Sequence, residues 1–507
     1  MQQKISSENI SYKTRSPVTD TAANFIARST VKAEDLDHRK KINFNIGRYN
    51  AVVPQGKQQF AELTLARERA KNIKWRAIES LDKQLEEFES VFTSRGGRVI
   101  WAENTAQALE EILTICKEKG CRSIVKSKSM VTEEIKLNHF LEENGIESVE
   151  TDLGEYIQQL DGEPPYHIVT PAMHKSKEDV AKLFYEKLHT RPGLTPEQLT
   201  LVAREKLRKK YVQAEIGITG ANFIISDIGG IAVTENEGNA RLCASFPKTH
   251  IVIAGLEKVI PTLTDLGLFW PLLATYGTGQ RVTVYNTVVT GPRQPGEADG
   301  PDEMILILLD NGRTNILANA KSRESLYCIR CGACLNACPV YKNIGGHAYG
   351  TTYSGPIGSV ITPHLKDMQE WKHLSYASSL CGNCTEVCAV KINLHELLLE
   401  NRHEAVESGY ATLAERIAWK VWRKASLSRP LMNIGTPQLK NWLVGKAFKA
   451  WTAHRDALDF APKTFNERWR TERARYPSKA KGTNEEERGG AVPTKFTPKA
   501  GSTARKG

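Results

Sequence analysis

Seven of the ten cysteines in this 507-residue chain fall between positions 328 and 388. The run CIRCGACLNAC sets Cys328, Cys331, Cys334 and Cys338 at the spacing C-x2-C-x2-C-x3-C, with Pro339 next, and the run CGNCTEVC adds Cys381, Cys384 and Cys388. The first spacing is the one that holds a [4Fe-4S] cubane in bacterial ferredoxins: two-residue gaps let one tight loop present three thiolates to three irons, and the fourth cysteine turns to a second cluster. Gly332 gives that loop the freedom to bend close to inorganic sulfide. A tetrahedral zinc site built from Cys328, Cys331, Cys381 and Cys384 is the competing reading. It leaves Cys334, Cys338 and Cys388 without a task, so iron-sulfur chemistry is preferred.

In the crossed arrangement, Cys328, Cys331, Cys334 and Cys388 hold one cluster, and Cys338, Cys381 and Cys384 hold the other. The second run lacks its first cysteine, and Ser378 stands at that place. The second cluster is then [3Fe-4S], or [4Fe-4S] with Ser378, His373 or a solvent or partner ligand on its fourth iron. His364 and His373 otherwise read as surface histidines. Two interlocked cubanes pass single electrons in series and make a relay. No flavin or nicotinamide fingerprint is evident, so the two-electron step belongs to a partner or to a site without a known motif.

These cysteines need a scaffold, and the chain is long enough for two or three domains. Apolar residues at 40% and charged residues at 25% are ordinary for a folded protein. No apolar run reaches the ~18 residues of a membrane span, and MQQKISSENISYK lacks the apolar core of a secretory signal, so a cytoplasmic protein is expected. Clustered cysteines in so large a chain favour metal over disulfide, and Cys116, Cys121 and Cys243 read as ordinary partly buried thiols. The formal charge is +11, and residues 463–507 hold twelve Lys or Arg against five Asp or Glu. That tail, rich in Gly, Pro, Ser and Thr, reads as solvated and partly disordered from about 476; contact with a membrane surface, an acidic partner or nucleic acid is the minor alternative.

Residues 1–55 read as an irregular segment. A helical pattern follows from Gln59 to Phe92, and after Gly96-Gly97 the rhythm changes. RVIWAE, SIVKSK, SVETDL and HIVTPA are strand-like, alternating with helical runs such as TAQALEEILTICKEKG and MVTEEIKLNHFLEENG, which Gly120 and Gly145 close. Helices are expected at 176–188 and 195–213, and further strand-like runs continue to about 317. This is the cadence of an α/β domain with a largely parallel sheet over 56–320. The cysteine region, 321–400, reads as short helices and loops. A helical region, 401–475, carries Trp419, Trp422, Trp442, Trp451 and Trp469 as core or docking anchors.

The blocks CIRCGACLNACPVYKNIGGHAYG, YSGPIGSVITP and SSLCGNCTEVCAVKI, with GGIAVTENEGNARLCASFP, GLEKVIPTL and GPRQPGEADGPDE upstream, closely resemble the lactate-utilisation protein B family over residues 30–470. The resemblance implies an N-terminal LUD domain, similar in fold to ribose-phosphate isomerases and CoA transferases, joined to a two-cluster ferredoxin-type domain. It implies an iron-sulfur protein that acts with lactate-utilisation proteins A and C to oxidise L-lactate to pyruvate. It also implies the cluster sets given above, with the eighth cysteine missing as a family trait. Ala389 departs from the proline usual after the last cysteine, which bears on the local backbone and spares the thiolate.

Within the LUD region, Glu235, Glu237 and Asn239 of the stretch ENEGN close a strand-like run, where α/β sheets gather ligand groups. Lys126 and Lys258 are positioned to balance a substrate carboxylate. The alternative is a charged turn with surface lysines. A second function of a different class makes the LUD domain an isomerase- or transferase-like enzyme with structural or regulatory clusters.

Overall fold

Strand segments between residues 98 and 309 are short and apolar, and most are separated by helices, which forces them to pair in parallel. The computed structural model describes residues 20–447, 456–457 and 459–475. Ten strands form: β1 (Arg98–Ala102), β2 (Ser123–Lys126), β3 (Glu147–Glu150), β4 (Ile216–Gly220), β5 (Phe223–Ile225), β6 (Gly230–Glu235), β7 (Thr249–Gly255), β8 (Val259–Ile260), β9 (Tyr285–Val289) and β10 (Glu303–Leu309). Six make an all-parallel sheet in the order β1-β10-β7-β4-β2-β3, and four make a smaller sheet in the order β8-β5-β6-β9. In the large sheet Ile251 lies in register between Ile218 and Ile305, and all three are buried in one core layer.

The expected strands at RVIWAE, SIVKSK and SVETDL form, and HIVTPA does not: residues 167–172 make a turn-rich loop, with the Tyr166 N–H donating to the Pro171 carbonyl at 2.9 Å. The N–H groups of Val169 and Thr170 donate to His167 Nδ1 and the Val169 carbonyl accepts from Lys128, so none of these is left for a neighbouring strand. The helical run before residue 92 is two helices, Leu63–Glu79 and Leu81–Ser94, broken at Ser80. The run from Met130 is also two, Met130–Glu134 and Leu137–Glu143, with Lys136 at φ 54° between them.

The irregular N-terminal segment is corrected over most of its length. Helices run Thr21–Glu34 and Leu36–Lys57, capped by Asp20 and Asp35, whose side chains accept the N–H groups of Ala23 and His38. Their apolar periodicity is weak, and only Ile42 and Ile46 reach the core as aliphatic anchors. Tertiary bonds hold them instead: Thr21 Oγ1 donates to the Glu370 carbonyl at 2.8 Å, Asn45 Nδ2 to that of Met173 at 2.8 Å, and Lys41 pairs with Asp179 at 2.8 Å.

Residues up to Tyr410 form one compact unit, so the cysteine region is not a separate bead on the α/β part. One core joins Phe88, Phe223 and Leu306 to Leu335, Tyr341, Val360 and Leu398. The seam is close. Tyr341 Oη donates to the Tyr166 carbonyl at 2.9 Å, and a Cβ on Gly346 would lie 1.9 Å from that same oxygen. The second unit begins at Ala411 and contains helices Leu413–Ser426, Arg429–Met432, Pro437–Ala447 and Phe465–Arg475. Trp419, Trp422, Trp442 and Trp469 are more than half exposed, so they are not core anchors. Trp451 and the basic tail after 476 lie outside the described residues.

Because the atom opposing Gly346 is backbone and cannot swing away, Gly346→Ala should lower stability by about 3 kcal/mol or more. Chemical denaturation of the purified protein checks this; an unchanged midpoint would refute the close approach.

Candidate iron-sulfur centre and the cavity beside it

The same local device is used twice. In Cys331-Gly332-Ala333-Cys334 and Cys381-Gly382-Asn383-Cys384, the glycine adopts φ 79° and starts a short helix, so that the two cysteines turn toward one centre. Backbone N–H groups point at sulfur in three places: Arg330 to Cys328 at 3.4 Å, Tyr341 to Cys338 at 3.5 Å and Ile392 to Cys388 at 3.3 Å. Hydrogen bonds of this kind tune an iron-sulfur cluster.

The thiols gather in two sets. Burial pushes Cys331 up to about 12, and the next influence is the charge of Cys388; Cys334 is raised by burial and then by Cys328, Cys331 and Cys388. Burial pushes Cys384 up to about 11, with Cys338 and Cys381 as its charged neighbours. Thiols held this high need a metal centre to become thiolates. Seven cysteines exceed the four ligands that a structural zinc site takes, which favours iron-sulfur clusters.

Depth differs between the sets. Cys331, Cys334, Cys338, Cys384 and Cys388 are buried, and Cys381 is exposed. Tyr349, fully buried, lies near both Cys338 and Cys334. Near Cys381, Ser378 Oγ accepts the Leu380 N–H at 3.1 Å. His373 is partly buried, packed against Phe25 and Trp371, and its Nδ1 faces the Glu370 carbonyl at 3.1 Å. His364 meets Asn401 at 2.9 Å. Neither histidine is a plain surface group.

Positive charge surrounds Cys328. Lys74, Lys258 and Arg330 are buried beside it, and each feels its thiolate. Burial drops Lys74 to about 7 and Lys258 to about 8. Behind them runs an ion network that the sequence did not disclose. Arg313, 2% exposed, pairs with Glu134 at 2.8 Å and Glu257 at 2.6 Å; Arg330 reaches Glu257 at 3.3 Å, and Tyr353 donates to Glu134 at 2.6 Å. Burial alone would raise Glu257, and Arg313, Arg330 and Lys258 overcome it and hold the carboxyl at about 2. The only trace in the sequence is an arginine inside the cysteine loop.

A cavity of ≈ 260 Å³ adjoins this centre, and Cys331, Arg330, Lys258, Lys128, Glu235 and Glu237 all line it. The three candidate residues therefore come together with the first cysteine set, although they lie about a hundred positions away. Their tasks differ. Glu235 accepts the N–H groups of Ala240 (2.7 Å) and Arg241 (3.0 Å), which caps helix Asn239–Ser245. Asn239, with its amide nitrogen turned to Glu235, donates at 2.6 Å and accepts from the Asp152 N–H at 3.3 Å. Glu237 stands at the mouth and accepts the Leu153 N–H at 3.0 Å; partial burial and then the Asp152 carboxylate push its pKa upward. Lys126 is corrected: it is fully buried and paired with Glu150 (2.6 Å) and Glu133 (3.2 Å), so it cannot meet a ligand in this cavity. Lys128, two residues on, faces the cavity in its place.

Glu163, His174 and His347 also bring three ligand atoms within 4.8 Å. The Lys175 ammonium sits 3.0 Å from Glu163 Oε2, and His174 is hydrogen-bonded to that same oxygen, so the group is an ion-pair cluster.

Comparison with known proteins agrees with this arrangement. The LUD domain model matches residues 85–309, and the 4Fe-4S dicluster domain model matches residues 324–392. The chain is 46% identical to lactate utilization protein B of Bacillus velezensis over 77% of its own length and 84% of the relative's. It is 44% identical to lactate utilization protein B of Bacillus subtilis, over 76% and 83%. It is 45% identical to an uncharacterized electron transport protein of Escherichia coli, over 73% and 78%. The matched models set a 4Fe-4S dicluster domain directly after a LUD domain. No helix among the described residues is long and apolar enough to cross a membrane.

Two outcomes follow. Cys334→Ala should lose roughly half of the bound iron and sulfide and keep the signal of one cluster, as read by metal analysis with electron paramagnetic resonance; loss of both clusters or of neither would contradict two separate thiol sets. Glu155, beside Lys126, is 2% exposed with no partner for either oxygen, and burial and then Glu150 hold its pKa well above the ordinary carboxylate value. With the folded pKa raised, its contribution is fully present below the unfolded value near 4.5 and is lost as pH rises toward the folded one. Glu155→Gln should therefore melt higher than the parent at pH 8 and close to it at pH 4.5.

Proposed function

The chain belongs to the lactate utilization protein B family, and on that premise we propose that it is the iron-sulfur electron-transfer subunit of a complex oxidising L-lactate to pyruvate. Lactate-utilisation proteins A and C are the partners this reading implies. Cys328, Cys331, Cys334 and Cys388 would hold a [4Fe-4S] cluster; Cys338, Cys381 and Cys384 would hold the second, as [3Fe-4S] or as [4Fe-4S] with a ligand from outside the seven cysteines. The large parallel sheet supports the likeness of the LUD part to ribose-phosphate isomerase and CoA transferase folds.

The observation that carries the reading is a direction. Cys331 lines the cavity, Cys334 and Cys338 are buried, and Cys381 reaches the surface. Conversion of lactate to pyruvate releases two electrons and two protons, and a bound pair of clusters offers two one-electron acceptors in series. The protein's own residues do the rest. Lys258 and Arg330 set positive charge beside Cys328, which favours an added electron there. The buried aromatic and aliphatic shell around Cys334 and Cys338 keeps water out. The exposed edge at Cys381 is where a partner can take electrons over.

A strain lacking this gene and complemented with Cys331→Ala should fail to grow on L-lactate and grow normally on pyruvate. Unimpaired growth on lactate would reject the proposal.

A further inference from the structure

The cavity beside Cys331 has two unlike walls. On one, Lys258 is buried, and its ammonium makes no hydrogen bond or ion pair among the described residues. Arg330 is next to it: its Nη2 reaches Glu257 at 3.3 Å, its plane lies over Tyr353 at 4.7 Å, and its Nη1 is buried with no partner. Lys128 on the same cavity meets only a neutral carbonyl, that of Val169, at 2.5 Å. The Lys258 ammonium and the Nη1 of Arg330 thus keep N–H groups that no described residue uses, and a carboxylate in the cavity could accept them. On the other wall stands Glu237, which has one carboxylate oxygen on the Leu153 N–H. Glu235 is already occupied in capping its helix.

We infer that this chain itself binds a small 2-hydroxy or 2-oxo carboxylate in the cavity, with the carboxylate on Lys258 and Arg330 and the hydroxyl of a hydroxy acid on Glu237. The size agrees, since ≈ 260 Å³ admits an acid of a few carbons, and Leu273 and Ala274 offer an apolar place for a short side chain. The position agrees too. Arg330 lies between Cys328 and Cys331 in the chain, so the cation that meets the acid belongs to the cluster loop. The inference rests on the electron-transfer reading and adds that the subunit is a substrate-binding one as well as a relay.

Equilibrium dialysis of radiolabelled pyruvate and L-lactate against anaerobically purified, fully loaded protein tests it. One saturable site per chain is expected for each acid. Lys258→Met should raise Kd about thirtyfold or more, as removal of one charge from a desolvated pair does, and Lys258→Arg should recover most of the affinity. Glu237→Gln should weaken lactate more than propanoate, which lacks the hydroxyl. Adding pyruvate should shift the paramagnetic resonance of the cluster next to Cys331 in the parent and not in Lys258→Met. If Lys258→Met fails to retain iron, Lys128→Met is measured in its place and should also weaken binding. Absence of saturable binding by the loaded parent, or equal affinity in Lys258→Met with its iron intact, overturns the site. Should that happen while Cys331→Ala still abolishes growth on lactate, the electron-transfer reading stands and the binding site alone falls.

Discussion

A buried guanidinium has to be paired, and this structure turns on how Arg313 meets that requirement. Glu134 comes from the helix after β2, Glu257 from the turn after β7, and Arg313 from the helix after β10, so segments following three strands of the parallel sheet deliver their charges to one point. Arg330 and Tyr353 then bring the cysteine region onto the same two carboxylates. Removing any single partner would leave a charge stranded in the core, at a cost of about 3–5 kcal/mol. The network therefore does more than stabilise: it fixes where the cysteine loop sits relative to the carboxyl ends of the strands.

Several features follow from that fixed placement. With the loop held at the sheet's carboxyl edge, Cys331 becomes a wall of the cavity that the ENEGN stretch also lines. The carboxylates of the network neutralise only part of the nearby positive charge, and Lys258 and Arg330 keep the surroundings of Cys328 cationic. An iron-sulfur cluster with four thiolates is anionic, so the excess cations and the cluster stabilise each other. The exposed thiol, Cys381, stands in the other cysteine set. Packing thus puts one thiol, Cys331, on the cavity and another, Cys381, at the surface.

The absent eighth cysteine acquires a structural context in the same way. Ser378 uses its hydroxyl to accept the Leu380 N–H, and His373 is turned against Phe25 and Trp371. Both positions are occupied by local bonding around the most exposed of the seven thiols. A centre built here has an edge that faces outward, which suits exchange with a partner.

The chemistry of the cysteine runs was legible in the sequence because ligand spacing is a local property: a thiolate two residues from the next must share its centre, whatever the fold. The α/β rhythm was legible too, in the alternation of runs such as RVIWAE and TAQALEEILTICKEKG, since each helix and strand must bury its own apolar stripe. The N-terminal helices escaped because tertiary hydrogen bonds and one ion pair, rather than a strong stripe, hold them to the body. HIVTPA, strand-like in composition, was drawn into a loop by bonds to itself. Which lysine faces the cavity, Lys126 or Lys128, depends on whether a carboxylate waits inside, and Glu150 comes from a strand more than twenty residues away. Charge pairing across long stretches of chain leaves no periodic mark in a sequence. The cysteine spacing was therefore written in the chain, and the cavity that Cys331 shares with Lys258 and Glu237 was decided only by the tertiary fold.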